Sequence, residues 1–164
     1  MNHRGSSTSP GLAHALDSAY HLTKGKTAYF GMADTVMQPN DIFAYAQGKS
    51  DPDDDVILVL YPTERPEKFG MVRLDNEDRV LEVVDKPNQT DLKEMWGCII
   101  WRAAFTEHLH ESVRHQGISD FALIMNNAIA DGLRFRGVSI LDGTYIDLGT
   151  YEEIIELDQK FREE

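Results

Sequence analysis

Two aspartates occupy positions suited to chemistry. Asp34 follows an apolar stretch in "FGMADTVMQP", and Asp147 lies between Ile146 and Leu148 in "YIDLGT". Each closes a segment that reads as a strand and precedes one that reads as the start of a helix. Ligands of open α/β sheets collect at the carboxyl ends of strands, so acidic residues there are more informative than elsewhere. If both strand ends share a crevice, the two carboxylates can hold Mg²⁺, a hard cation often bound by one or two carboxylates together with ligand phosphates. Taken singly, each reads more readily as a helix cap or turn residue; together they point towards a metal. Lys86 in "VVDKPN" closes another strand beside a proline that fixes the chain's exit. It can meet a phosphate as a point charge, or it can be a solvated turn lysine. Gly70 in "KFGMV" and Gly97 in "MWGCI" interrupt strands, which marks either a bulge or a place where a ligand approaches the backbone closely.

The elements that must position these residues follow from hydrophobic period and punctuation. "GLAHALDSAYHLTK" has apolar residues at a mostly helical spacing after Pro10, with Gly25 as its stop. "TAYFGMA" reads as a short buried strand and "QPNDIFAYAQGK" as a short helix with an asparagine cap. "DPDDDVILVLYP" is an acidic turn followed by a continuous apolar run, the pattern of a central strand covered on both faces. "FGMVRLDNEDRVLEVVDKP" predicts a hairpin around "DNED", and "MWGCIIW" another buried strand. Two helices are predicted next. The first, "RAAFTEHLHESVRHQ", is closed by Gly117, and the second, "ISDFALIMNNAIADG", is capped by Ser119 or Asp120 and stopped by Gly132. Strands over "LRFRGVSIL" and "GTYID" precede a terminal helix over "TYEEIIELDQKFREE". Strands alternating with helices predict a three-layer α/β domain over 10–164, mostly parallel with an antiparallel insertion, behind a flexible lead-in over 1–9.

At 164 residues one hydrophobic core is expected. Sixteen Lys and Arg against 28 Asp and Glu leave a net charge of −12, a field that repels phosphate backbones and argues against nucleic acid as a partner. An anionic ligand would need a metal ion or a few placed lysines to offset that field. No apolar run approaches the roughly 20 residues of a membrane span, and "MNHRGSSTSP" lacks the apolar stretch of a secretory signal. The single cysteine, Cys98, cannot form an internal disulfide, which suits a reducing cytoplasm; lying in "GCIIW" it reads as a small buried hydrophobe. The six histidines do not assemble into a zinc site: His108 and His110 point in different directions on one helix, while His110 shares a face with Arg114 and His14 with Ser18.

Six segments in order, "PGLAHAL", "FGMADTVMQP", "KFGMV", "EVVDKP", "MWGCIIW" and "YIDLGTYEEI", resemble those of the sugar-phosphate nucleotidyltransferases, which join a nucleoside triphosphate to a sugar 1-phosphate. The resemblance implies a Rossmann-like nucleotidyltransferase sheet. It implies that Gly11, Leu12 and Ala13 lie against a nucleotide base and that Asp34 and Asp147 bind Mg²⁺. It further implies that Gly70 and Gly97 admit sugar hydroxyls, that Asp85 accepts a hydrogen bond from the sugar, and that Lys86 pairs with its phosphate. Two departures matter. The family usually has glutamate where this chain has Asp85, one methylene shorter. It also begins with a strand and a glycine-rich phosphate loop, and this chain reads as starting after both. Developing charge on a triphosphate must be stabilised by preorganised donors, and losing one such donor costs roughly 10²–10³ in rate. The expectation is a catalytically impaired, truncated relative that binds a nucleotide sugar or sugar phosphate, or acts by assembly. The alternative is an active enzyme completed by another chain. The missing strand would leave a sheet edge unpaired, so a homo-oligomer is expected.

Overall fold

The computed structural model describes residues 11–149, 154, 155 and 158; the expected lead-in over 1–9 and most of the terminal helix lie outside them. The centre of the molecule is β3 (Val56–Pro62), whose residues 56–61 are all buried. Its alternate side chains feed two cores. Val56, Leu58 and Leu60 join the larger one, while Ile57, Val59 and Tyr61 join the smaller. Each such side chain withdrawn from water stabilises the fold by about 1.5–3 kcal/mol, so an uninterrupted apolar run is what a strand between two layers requires.

On one face lie α1 (Leu12–Ser18), the short α2 (Tyr20–Thr23), α4 (Ala103–Arg114) and α5 (Phe121–Ala130). Phe105, Leu109, Ile124 and Met125 from α4 and α5 fill the larger core. On the other face α3 (Ile42–Gly48) supplies Ile42 and Ala46 to the smaller core. A two-stranded ribbon covers the same side: β2 (Thr35–Gln38) pairs antiparallel with β8 (Thr144–Asp147). The three predicted layers are present; β8 is the strand expected over "GTYID", whereas β2, and with it the ribbon, was not expected.

The six-stranded sheet contains β5 (Val80–Asp85), β4 (Gly70–Leu74), β6 (Glu94–Trp101), β3 and β7 (Phe135–Ser139) in that order, with β1 (Ala28–Gly31) also on β6. Only β3 and β7 form a parallel ladder; β6 runs antiparallel to β1, β3 and β4, and β4 antiparallel to β5. The expectation of a mostly parallel sheet therefore holds for direction, since β1, β3, β4 and β7 point one way, but not for hydrogen bonding. The correction has a simple cause: β6 inserts between strands that share a direction and turns their ladders antiparallel.

The helix expected through residues 11–24 is broken at Ala19, whose N–H bonds Leu16 O at 3.0 Å. Asp17 is buried beside α4, where His110 Nδ1 lies 2.6 Å from Oδ1 and Arg114 Nε donates to Oδ2 at 2.6 Å. The helical face shared by His110 and Arg114 thus holds an internal carboxylate. Cys98 is fully buried, and burial pushes its thiol up to about 12, which makes it an inert core residue.

Candidate functional site

β1 and β4 share one edge of β6 without meeting. β1 pairs with residues 98–101 and β4 meets the ladder at Met95, which leaves Gly97 between them with no described strand partner along that edge. A parting of strands is where α/β sheets open a crevice. A cavity of about 440 Å³ forms at this parting, within the range of small-molecule sites. It gathers Leu12, Asp34, Gly70, Asp85, Lys86, Gly97 and Asp147.

Asp34 and Asp147 converge through the ribbon. Asp147 is the register partner of Thr35, and Leu148 N donates to Asp34 O at 2.8 Å. Asp147 Oδ1 accepts from Gly149 N at 3.1 Å, the self-bonded turn expected of an aspartate before glycine. Asp147 is half-buried and Asp34 exposed, so neither charge is enclosed in apolar surroundings as the flanking Ile146 and Leu148 suggested. No described lysine or arginine pairs with either carboxylate. Their field is visible at Tyr145: burial first, then the negative charge of Asp147 and, more weakly, of Asp34, push its phenol up to about 12 despite a bond with Thr35. Two hard oxygen donors lacking a described cationic partner fit a cation such as Mg²⁺, which needs only one or two protein carboxylates when phosphate oxygens complete its shell. Among the described residues no third Asp, Glu, His or Cys joins them.

Lys86 is one of two described non-glycine residues with positive φ, at 45°. Its N–H continues the β4–β5 ladder to Phe69 O at 3.0 Å, and Pro87 bars the right-handed helical region. The left-handed conformation costs roughly 1–2 kcal/mol, and strain of this kind gathers at functional sites. Glycine would remove the strain together with the ammonium. Lys86→Gly is expected to leave thermal stability unchanged or higher while weakening inorganic phosphate binding about tenfold. Calorimetry paired with thermal melts checks this; lower stability with unaltered binding would make Lys86 a structural residue.

The two glycines have immediate steric reasons. A Cβ at Gly97 would sit 2.7 Å from Tyr145 Cδ2 and 2.9 Å from Tyr61 Cδ2. Gly97 is also the bulge residue, since the register passes from Cys98 opposite Val59 to Trp96 opposite Leu60. A Cβ at Gly70 would collide with Trp96 Nε1 and lie 2.9 Å from its Cδ1. Both positions line the cavity, and each makes room for an aromatic wall. Leu12 lines the cavity too, whereas Gly11 stands outside its lining as the exposed N-cap of α1 and Ala13 is fully buried in the larger core. Sequence reasoning missed Lys68, Phe69, Trp96, Phe121 and Tyr145, which also line the cavity. Lys68 stood two residues before Gly70, but its side-chain placement depends on the turn Pro66–Lys68.

A mixed α/β sheet covered by helices on both faces, parting over a crevice lined by Asp34, Asp147 and Lys86, is an arrangement of the Rossmann-like type. The chain belongs to the nucleotidyl transferase family, whose model matches residues 2–164. Its fold is similar to that of a protein assigned as a glucose-1-phosphate thymidylyltransferase of Bacillus anthracis, crystallised with sucrose: TM-score 0.76, 18% identity, 96% of this chain and 63% of that one covered. HddC of Yersinia pseudotuberculosis is also similar, with TM-score 0.65 at 16% identity over 93% of this chain and 63% of that one. Its complex with GMP-PN gives 0.64 at 15% over the same shares. This chain thus spans under two thirds of each. No curated protein gives a sequence match. Among the described residues no helix is long and apolar enough to cross a membrane.

Proposed function

We propose that the cavity binds a sugar phosphate, or the sugar-phosphate end of a nucleotide sugar, and that this chain alone is a poor nucleotidyltransferase. The observation that supports the reading most is the gathering of Asp34, Gly70, Asp85, Lys86, Gly97 and Asp147, from distant segments, around one cavity of about 440 Å³. Asp34 and Asp147 would hold Mg²⁺, Lys86 would pair with the phosphate, and Asp85 would accept from a sugar hydroxyl. When bound, the ion supplies charge neutralisation for phosphate oxygens. Four aspartates, Asp34, Asp85, Asp120 and Asp147, face two lysines, Lys68 and Lys86, in the lining. That balance suits one phosphate with a metal ion better than a triphosphate whose charge grows during reaction. A cytoplasmic setting agrees with the buried, unpaired Cys98. Calorimetry with glucose 1-phosphate and UDP-glucose, with and without Mg²⁺, tests the binding; no heat from either ligand would leave assembly as the remaining role.

A second reading, an active transferase completed by another chain, is favoured by β1. This strand pairs with β6 along one edge and with no described strand along the other, and Tyr29 on it is half exposed. An open strand edge is a template for pairing. A homodimer is therefore expected by sedimentation at micromolar concentration, with little pyrophosphate released from UTP or dTTP and glucose 1-phosphate by the isolated chain. A compact monomer would remove the support for assembly, and brisk pyrophosphate release would overturn the impaired reading.

A further inference from the structure

Across the sheet at the floor of the cavity, Asp85, Gly70 and Trp96 stand side by side. Asp85 is the register partner of Gly70, and the pairing of Met71 with Met95 sets Trp96 beside Gly70 on the next strand. Cross-strand neighbours project to the same face, and all three line the cavity. The indole leans over the glycine with its pyrrole edge, since Nε1 and Cδ1 are the atoms that a Cβ at Gly70 would strike first. Its ring is backed by Phe121 on α5, with centroids 5.9 Å apart and planes at 60°.

The chain's other tryptophan shows how a purely structural indole is satisfied within the fold. Trp101 is 4% exposed and its Nε1 donates to Thr106 Oγ1 at 2.9 Å. Trp96 is only half-buried, and among the described residues neither its Nε1 nor the Asp85 carboxylate has a hydrogen-bond partner. A donor and an acceptor, both unspent, thus flank a residue that lacks a side chain. A sugar hydroxyl, which donates one hydrogen bond and accepts others, is the group that satisfies both.

We propose that Trp96 is a sugar-recognition residue: its indole N–H and the Asp85 carboxylate form a donor–acceptor pair across Gly70 that reads one hydroxyl of the sugar ring. The inference rests on the sugar-phosphate reading and adds a residue to it. It also gives the short carboxylate at position 85 a partner, because a hydroxyl held from the indole side needs less reach from the acid. Trp96→Phe keeps a ring against Phe121 and deletes only the N–H and the second ring.

Calorimetry of the unmodified chain and Trp96→Phe with glucose 1-phosphate and with inorganic phosphate tests the pairing. The variant is expected to weaken glucose 1-phosphate binding about 3- to 10-fold and to leave inorganic phosphate binding unchanged. Equal affinity of the two chains for glucose 1-phosphate overturns the proposal, and so does an equal loss for both ligands, which would mark Trp96 as a packing residue. Tryptophan emission of the unmodified chain gives a second readout. Glucose 1-phosphate is expected to shift it and inorganic phosphate to leave it alone, with buried Trp101 as a constant background; no shift at saturating glucose 1-phosphate overturns the proposal. If neither ligand binds the unmodified chain, the sugar-phosphate reading itself fails and this inference falls with it.

Discussion

Asp54→Ala is expected to destabilise the fold by about 3–5 kcal/mol, the cost of removing a buried carboxylate from its ion pairs with two half-buried arginines. For a chain of this size that lowers the melting temperature by roughly 6–20 °C. Asp54 is 1% exposed and organises the end of β3 remote from the cavity. Its Oδ2 accepts from Asp51 N at 2.7 Å and Arg136 Nε at 2.7 Å, and its Oδ1 accepts from Arg79 Nη1. Arg79 and Arg136 are themselves bridged through their backbones, so one carboxylate ties the hairpin to β7. Burial alone would raise its pKa, but the bonds from Asp51, Arg136 and Arg79 outweigh burial and hold it below the ordinary 3.8. A folded value below the unfolded one means that the stabilisation is complete above the unfolded pKa and is lost as pH falls through the folded one. The native chain should therefore lose stability below about pH 4, and Asp54→Ala should flatten that acid limb. Melting curves between pH 7 and pH 3 check both; an unchanged melting temperature in the variant would show that the two arginines are satisfied by Asp51 or by water.

Asp147→Asn should act on the ligand rather than the fold. The amide keeps the oxygen that accepts from Gly149 N, so the turn survives, but it removes one of the two negative charges of the Asp34–Asp147 pair. Altering even the residues that orient a metal ligand costs about 10- to 100-fold in metal affinity, so losing a direct ligand should cost at least that much. The expected result is glucose 1-phosphate binding that no longer tightens when Mg²⁺ is added, with the melting temperature within a few degrees of the native chain. Tightening by Mg²⁺ as in the native chain would remove Asp147 from the metal site.

How much was legible in the sequence depended on how local each cause was. β3 could be read because an unbroken apolar run has few uses besides a strand covered on both faces. The cap of α5 could be read because Asp120 bonds Leu123 N three residues on, at 3.1 Å. The acidic turn "DPDDDV" gave no hint that its fourth residue is buried, because the arginines that compensate Asp54 lie 25 and 82 residues away. β8 could be read from "GTYID", but its partner was illegible for the same reason: the four residues at 35–38 become a strand only by pairing with residues 144–147. Asp34, Lys86 and Asp147 stood out by position at strand ends. Trp96 and Tyr145 did not, since an aromatic residue within a strand reads as core until the chain shows a glycine opposite it and a cavity beside it. The break at Ala19 has no sequence signal.

The functional reading stands on Asp34 and Asp147 sharing one divalent ion beside a bound sugar phosphate. Amide NMR of the isotope-labelled chain with glucose 1-phosphate and Mn²⁺ in place of Mg²⁺ measures this directly, because the paramagnetic ion broadens signals near it. Broadening is expected to centre on Asp34, Thr35, Ile146 and Asp147, to be relieved by excess Mg²⁺, and to spread to Lys86 and Gly70 but not to Arg136 in β7. Broadening centred elsewhere, or none when glucose 1-phosphate is bound, would contradict it.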